Sequence, residues 1–170
     1  VRYKFAIITR AHISVAAQNA LVGLAAYLAA FYFTALFHSK SSAIGGLWSM
    51  VSAIVVLQAT TREAWKSALL RVRGTLIGAI IGSVYLYFLA FNPIGMALSM
   101  GLTVLLCDAL DVPDHGRLAA ITVALIMVLS SLNPEMSPFT NAPLRFIESA
   151  IGGGIAVLAV MAWPQGEQAA

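Results

Sequence analysis

The sequence predicts an all-α integral membrane protein of six transmembrane helices in two inverted three-helix repeats, and three observations carry that prediction. Of the 170 residues 60% are hydrophobic and only 10% charged, with a mean hydropathy of +0.87; a water-soluble domain carries about 45–50% and about 25%. So few charges cannot cover a water-facing surface, which leaves the bilayer as solvent. Six runs of mostly apolar residues reach or approach the roughly 20 that cross about 30 Å of hydrocarbon. Finally, the third and sixth runs share a residue pattern at one constant offset, so the chain reads as a three-helix unit used twice.

The first span covers residues 15–37 and is entered past His12, with Gln18 and Asn19 in its first turns. Those two amides lie about 100° apart on a helix. Either one bonds to a neighbouring helix while the other faces a cavity, or both serve as interhelical glue. Residues 38–42 form a polar turn, where His38 and Lys40 make a small basic spot or a merely solvated loop. The second span takes residues 43–60 and ends near Gln58. The third takes 74–91, after which Asn92 and Pro93 make a tight turn. The fourth takes 94–110, with Cys107 packed in its apolar run. Residues 111–116 lead to the fifth span at 118–132, and a connection at 133–143 holding three prolines leads to the sixth at 144–163. Helical hairpins fit this layout, whereas the strands of a membrane barrel would alternate polar and apolar residues. The domain organisation is a single transmembrane domain, with repeat one over residues 11–92 and repeat two over residues 93–164.

The same composition excludes other classes. One cysteine makes no disulfide scaffold, the apolar excess is incompatible with disorder, and there are no charged heptads for a coiled coil. The net charge is +3, but the basic residues are scattered between apolar runs and form no stripe for nucleic acid. Residues 1–10 do not read as a cleavable signal, because no cleavage site and polar mature sequence follow. No Ser-His-Asp order, metal-binding helix motif, phosphate loop or nucleotide fingerprint occurs, so neither an enzyme nor a cofactor is expected. A metal site at Asp111, Asp114 and His115 has the composition but no signature spacing.

Orientation follows from the basic residues, which are retained in cytoplasmic loops. Arg2, Lys4, Arg10, Arg62, Lys66, Arg71, Arg73 and Arg117 fall on the side of the N-terminus, and only Lys40 and Arg145 on the other. That bias places both termini in the cytoplasm of a bacterial inner membrane, with Trp48, Trp65 and Trp163 as an interfacial belt.

Three groups of residues carry candidate chemistry. Arg71 aligns with Arg145, Thr75 with Ser149, Ile77 with Ile151 and Gly78 with Gly152. Three is odd, so the second unit enters the membrane from the opposite side, as in the inverted repeats of many secondary transporters. Arg71, Arg73 and Arg145 are expected beside helix N-termini, where unpaired N–H groups and a partial positive charge favour a carboxylate. Guanidinium grips a carboxylate in a planar, bidentate contact, and Thr75 and Ser149 add hydroxyls. The same arginines also read as topology determinants that snorkel to headgroups. Gly74, Gly78 and Gly82 leave one helix face bare for close packing, and Gly152, Gly153 and Gly154 with Ala156 do the same for the sixth span or loosen it. Asp108 and Glu148 lie in apolar runs, where an acid must be protonated, paired or water-facing. They are candidates for proton coupling or for ion pairs with the arginines. Asp111 and Asp114 read as loop residues, Asp114 as a cap of the fifth span.

The run from Trp48 to Gln58, followed by that from Arg71 to Gly82, resembles the membrane domain of the fusaric acid resistance proteins, also called the aromatic acid exporter family. The stretch from Arg145 to Gly152 and the closing Ala162, Trp163 and Pro164 are similar to the end of the same domain. The likeness spans nearly the whole chain and is most specific in Arg71, Gly74, Thr75 and Gly78. The resemblance implies a six-helix inner-membrane protein that moves organic anions, typically aromatic carboxylates, with plant aluminium-activated malate channels as distant relatives. It also implies homo-oligomers, a dimer foremost. It carries the family's core arginine and glycines onto Arg73, Gly74, Thr75 and Gly78, with Arg145 and Gly152 as the second-repeat version. Larger members have a cytoplasmic region after the membrane domain and often a second copy. These 170 residues contain neither, so anion binding transfers better than active export. The expectation is an oligomeric exporter of organic anions embedded in membrane lipid. The alternatives are a passive anion channel, a non-transporting scaffold or assembly subunit, and a cation pathway lined by the acids.

Overall fold

The computed structural model describes residues 9–58 and 60–163, so Arg2, Lys4 and Pro164 lie outside the described residues. The described chain forms six α-helices: α1 (Arg10–Phe37), α2 (Ser42–Val56), α3 (Thr61–Phe88), α4 (Pro93–Ala109), α5 (Pro113–Leu132) and α6 (Pro138–Ala162), with a short 3₁₀ turn (Ser39–Ser41) between the first two. Four of them, α1, α3, α5 and α6, are long and apolar enough to cross a membrane. The other two fall short of the six full spans expected. At 1.5 Å per residue, the 15 residues of α2 and the 17 of α4 rise about 23 and about 26 Å. The second span loses its last turn because Leu57 leaves the helix in an extended conformation.

At α1, α3, α4 and α6 side-chain caps, rather than the edges of apolar runs, set the helix starts. Thr60 accepts the backbone N–H of Glu63 and its hydroxyl meets the Glu63 carboxylate at 3.0 Å, so α3 begins there and not at residue 74. Its 28 residues rise about 42 Å, which carries the polar stretch around Arg62 and Lys66 beyond the hydrocarbon. Ser137 caps α6, and Pro138 takes the first helical position, where its missing N–H costs nothing. Pro143 therefore lies inside the helix, not in the connection expected at 133–143. Asn92 accepts from the N–H groups of Ile94 and Gly95, opening α4 after the expected tight turn. The α4–α5 reversal rests on Asp111, whose φ of 57° is one that Asp tolerates better than most residues. The N-cap of α5 is Val112, so Asp114 is an exposed first-turn residue and not the cap.

Successive helices run in opposite directions, so the pairs α1–α2, α3–α6 and α4–α5 pack antiparallel and the pairs α2–α6 and α3–α5 parallel. α1 lies on α2, α2 on α6, α6 on α3, α3 on α5, and α5 on α4. At one end Gln18 donates to the carbonyl of Trp163 at 2.7 Å, tying α1 to α6. Asn19 bonds only within its own helix, to the carbonyl of Val15. At the other end Lys40 meets Glu135 at 2.8 Å across the two connections. The interior is built from small residues, with Ala26, Ala53, Ala64, Ala156 and Val160 fully buried in one cluster. The large apolar side chains face outward: Leu36 is 82% exposed and Ile94 72%. Small residues inside and large ones outside is the distribution of a helical bundle solvated by lipid, where close backbone approach replaces the hydrophobic effect.

Candidate functional site

Polar side chains that the bundle hides from lipid gather where α2, α3 and α6 meet. Their positions follow from helical spacing: Gly45, Ser49 and Ser52 line one face of α2, Arg71 and Thr75 one face of α3, and Arg145, Glu148 and Ser149 one face of α6. α6 can approach α2 closely because Gly152 carries no side chain; a Cβ there would collide with the carbonyl of Ser49. Gly45 serves in the same way on α2, since a Cβ would meet the Glu148 carboxylate and the Thr34 hydroxyl.

Hydrogen bonds and one charge contact form a connected seam. Arg71 donates from Nε to Ser52 Oγ at 3.1 Å and lies 4.3 Å over the ring of Trp48, a cation–π arrangement in a desolvated setting. Trp48 donates to the carbonyl of Arg145 at 3.1 Å. Ser52 reaches Ser149 Oγ at 3.3 Å, and the hydroxyls of Thr75 and Ser149 meet at 3.2 Å across the α3–α6 crossing. Arg145 and Glu148, both with fully buried side chains, stand 2.9 Å apart. The other carboxylate oxygen accepts from the Thr34 hydroxyl of α1 at 2.6 Å. Several polar atoms are left over. Arg71 Nη2, Ser49 Oγ, all three guanidinium nitrogens of Arg145 and Glu148 Oε2 have no hydrogen-bond partner. The Arg145–Glu148 contact is thus a charge contact without hydrogen-bond alignment.

Several sequence expectations change here. Arg71 and Arg145 sit well inside α3 and α6, where intrahelical bonds occupy the backbone N–H groups, so no helix N-terminus assists them. Arg73 points away from the seam and is exposed, as is Asp108, which makes no ion pair among the described residues. Trp48 is 6% exposed and belongs to the seam, not to an interfacial belt, whereas Trp65 and Trp163 are 53% and 37% exposed near helix ends. Gly74, Gly78 and Gly82 face α5: a Cβ at Gly78 would strike the carbonyl of Ala119, and one at Gly82 would merely touch Ile126. Gly153 has ordinary room beside Ala68 and Val56, and Gly154 faces open space. The sequence reading passed over Thr34, Gly45, Ser49 and Ser52. A signal was present, because small and hydroxyl residues recur at helical spacing along the second span. Asp111, Asp114 and His115 assemble no metal-binding cluster among the described residues.

Two apolar grooves of about 320 and 280 Å³ flank the α3–α6 crossing. One is lined by Leu76, Ala79, Phe139 and Phe146 among others, and the second by Ala150, Gly153, Trp65 and Val72.

The chain matches the model of the family described as fusaric acid resistance protein-like over residues 24–159. It is 30% identical to a UPF0421 protein of Staphylococcus epidermidis over 127 residues, covering 74% of this chain and 38% of that protein. A second UPF0421 protein, from another strain of the same species, is 31% identical over 99 residues, or 57% of this chain and 30% of its own length. The chain thus spans well under half the length of the curated relatives it matches. No solved structure matches it. The matched region runs from the middle of α1 to the last turn of α6 and contains every residue of the buried seam, so the chain belongs to the fusaric acid resistance protein-like family of membrane proteins.

Proposed function

We propose that this chain forms a transmembrane pathway for organic anions, aromatic carboxylates foremost, in a bacterial inner membrane. Its family is one of membrane transport and resistance, not of enzymes. The observation that carries the reading is the charge of the seam: two buried guanidinium groups, Arg71 and Arg145, against one buried carboxylate, Glu148. An unneutralised charge away from water is costly, and the leftover donors on Arg71, Arg145 and Ser49 add to that cost. A carboxylate would answer the leftover donors, accepting from guanidinium and hydroxyl together. The Trp48 indole beside Arg71 gives an aromatic acid a surface to pack on.

In this proposal the bundle consists of two inverted repeats, α1–α3 and α4–α6. Exchanging α1 with α4, α2 with α5 and α3 with α6 turns the packed pairs α1–α2 and α2–α6 into α4–α5 and α5–α3, which also pack. Thr75 and Ser149, 74 residues apart, touch each other as residues near a pseudo-two-fold axis do. The grooves support the same relation, because Leu76, Ala79, Phe139 and Phe146 in one stand 74 residues from Ala150, Gly153, Trp65 and Val72 in the other. Such repeats give alternating access by rocking one unit against the other about a central site. The proposal includes cytoplasmic termini and a homo-oligomer, a dimer foremost.

The test is flux. Purified chain in liposomes, given a membrane potential or a pH gradient, should move radiolabelled benzoate, and Arg71→Gln or Arg145→Gln should reduce the rate at least tenfold. Flux driven by voltage alone would assign a passive channel. A folded chain with no flux under either gradient would make it a scaffold.

A further inference from the structure

We infer that Glu148 is an internal stand-in for the transported carboxylate, and that the anion reaches Arg145 only as Glu148 takes up a proton, so that one proton and one anion bind together. This rests on the anion reading above and adds its coupling. Three features of the geometry support it. First, Glu148 Oε2 lies 2.9 Å from Arg145 Nη1, yet neither atom has a hydrogen-bond partner, so the ion pair is not locked into the fork geometry that guanidinium and carboxylate prefer. An incoming carboxylate offers Arg145 the aligned contact that Glu148 does not. Second, the displaced carboxyl group has a place to stay: Thr34 holds Oε1 at 2.6 Å, and a hydroxyl can bond a carboxylic acid as well as, more strongly, a carboxylate. Third, the site is built around this group, because Gly45 leaves room that a Cβ would take from Glu148 and Thr34.

Among the described residues Glu148 is the one buried carboxylate. On α6 the charge facing Glu148 is Arg145, and α3 contributes Arg71, one hydroxyl cluster away. α2 has no ionisable side chain, and α1 presents Thr34. His38, a turn further along α1, caps that helix through its backbone. α5 keeps Asp114, His115 and Arg117 among its first residues, near the end of the bundle where α4 stops. In the exchange, a proton from the entry side adds to a Glu148 oxygen and the arriving carboxylate pairs with Arg145. The seam then has the same net charge before and after. Anion and proton therefore travel in the same direction.

Calorimetry on the full chain in detergent, with benzoate as probe and buffers of different ionisation enthalpy, counts protons taken up on binding. Native protein should take up one proton per benzoate at pH values where Glu148 is ionised, and affinity should fall by about tenfold per pH unit there. Glu148→Gln should bind benzoate with no proton uptake and no such pH dependence. Because that variant leaves Arg145 without its counter-charge, Thr34→Val serves as a second one. It weakens the hold on the carboxylate and should bind benzoate more tightly than native protein at pH 8. Native binding without proton uptake, full uptake in Glu148→Gln, or unchanged affinity in Thr34→Val would each overturn the coupling while leaving the anion site standing. No benzoate binding by native protein, or binding indifferent to Arg71→Gln, would overturn the anion reading and the coupling with it.

Discussion

Arg145 and Glu148 show how much the worth of a buried pair depends on which partner is removed. A carboxylate left alone can take up a proton, but a guanidinium cannot shed one. Glu148→Gln should therefore destabilise the bundle by on the order of 3–5 kcal/mol, and Arg145→Gln by less. The double variant should recover much of the Glu148→Gln loss, which thermal unfolding of all three in detergent would show. The other ion pair, Lys40 with Glu135, lies in the connections and is exposed, so its stability contribution is small and salt-sensitive. Its hydrogen bond, then its charge, raises Lys40 above its ordinary 10.5 and lowers Glu135 below its ordinary 4.5. Glu135 thus stabilises fully above pH 4.5 and loses its contribution as pH falls through its lowered value. Lys40 does so below pH 10.5 and loses its contribution as pH rises through its raised value. Thermal midpoints of native protein and Glu135→Gln should accordingly differ inside that window, converge as pH falls through the lowered Glu135 value, and converge at pH 7 in 1 M salt as well.

Helices that meet backbone to backbone make their glycines unequal. Gly78→Ala would push a methyl group into the carbonyl of Ala119, and Gly152→Ala into that of Ser49, both backbone atoms that can yield only if a helix moves. Each should cost about 1–3 kcal/mol by overpacking, less the roughly 1 kcal/mol that alanine gains in a helix. Gly154→Ala meets nothing and should leave stability unchanged or raise it by up to about 1 kcal/mol. Unfolding midpoints of the three variants decide this. At this scale the sequence was informative about existence and weak about ends. Six helices were legible because apolar runs of that length have one low-energy form in lipid. The starts of α3 and α6 were not, since Thr60 and Ser137 set them through local hydrogen bonds to which hydropathy is blind. Among the glycines, spacing marked the face of α3 that meets α5, but it could not tell Gly152, which touches α2, from Gly154, which touches nothing.

For the whole molecule, the sequence held the candidate site as two aligned fragments, and folding supplied the third. Arg71, Thr75, Arg145 and Ser149 were visible from the repeat alone. Trp48, Ser52 and Thr34 join them only because α6 packs on both α2 and α1. Arg73 and Asp108 were indistinguishable from functional residues in sequence because nothing in a one-dimensional pattern says which way a lone charge points. Orientation in the membrane is the property most dependent on the whole. The up-and-down course of the chain puts the 3₁₀ turn with Lys40 at one end and the start of α3 with Arg62 and Lys66 at the other. Exposed basic residues concentrate at the second end, where Arg10 and Arg117 also lie, and basic ends are retained in the cytoplasm. Lys40→Cys should therefore react with a membrane-impermeant maleimide added to intact cells. Lys66→Cys should react only after the membrane is opened, and the native Cys107, fully buried, should remain silent in both cases. The reverse pattern would invert the orientation. Equal labelling of both positions in intact cells would mean that the charge bias is too weak to choose and the chain inserts both ways.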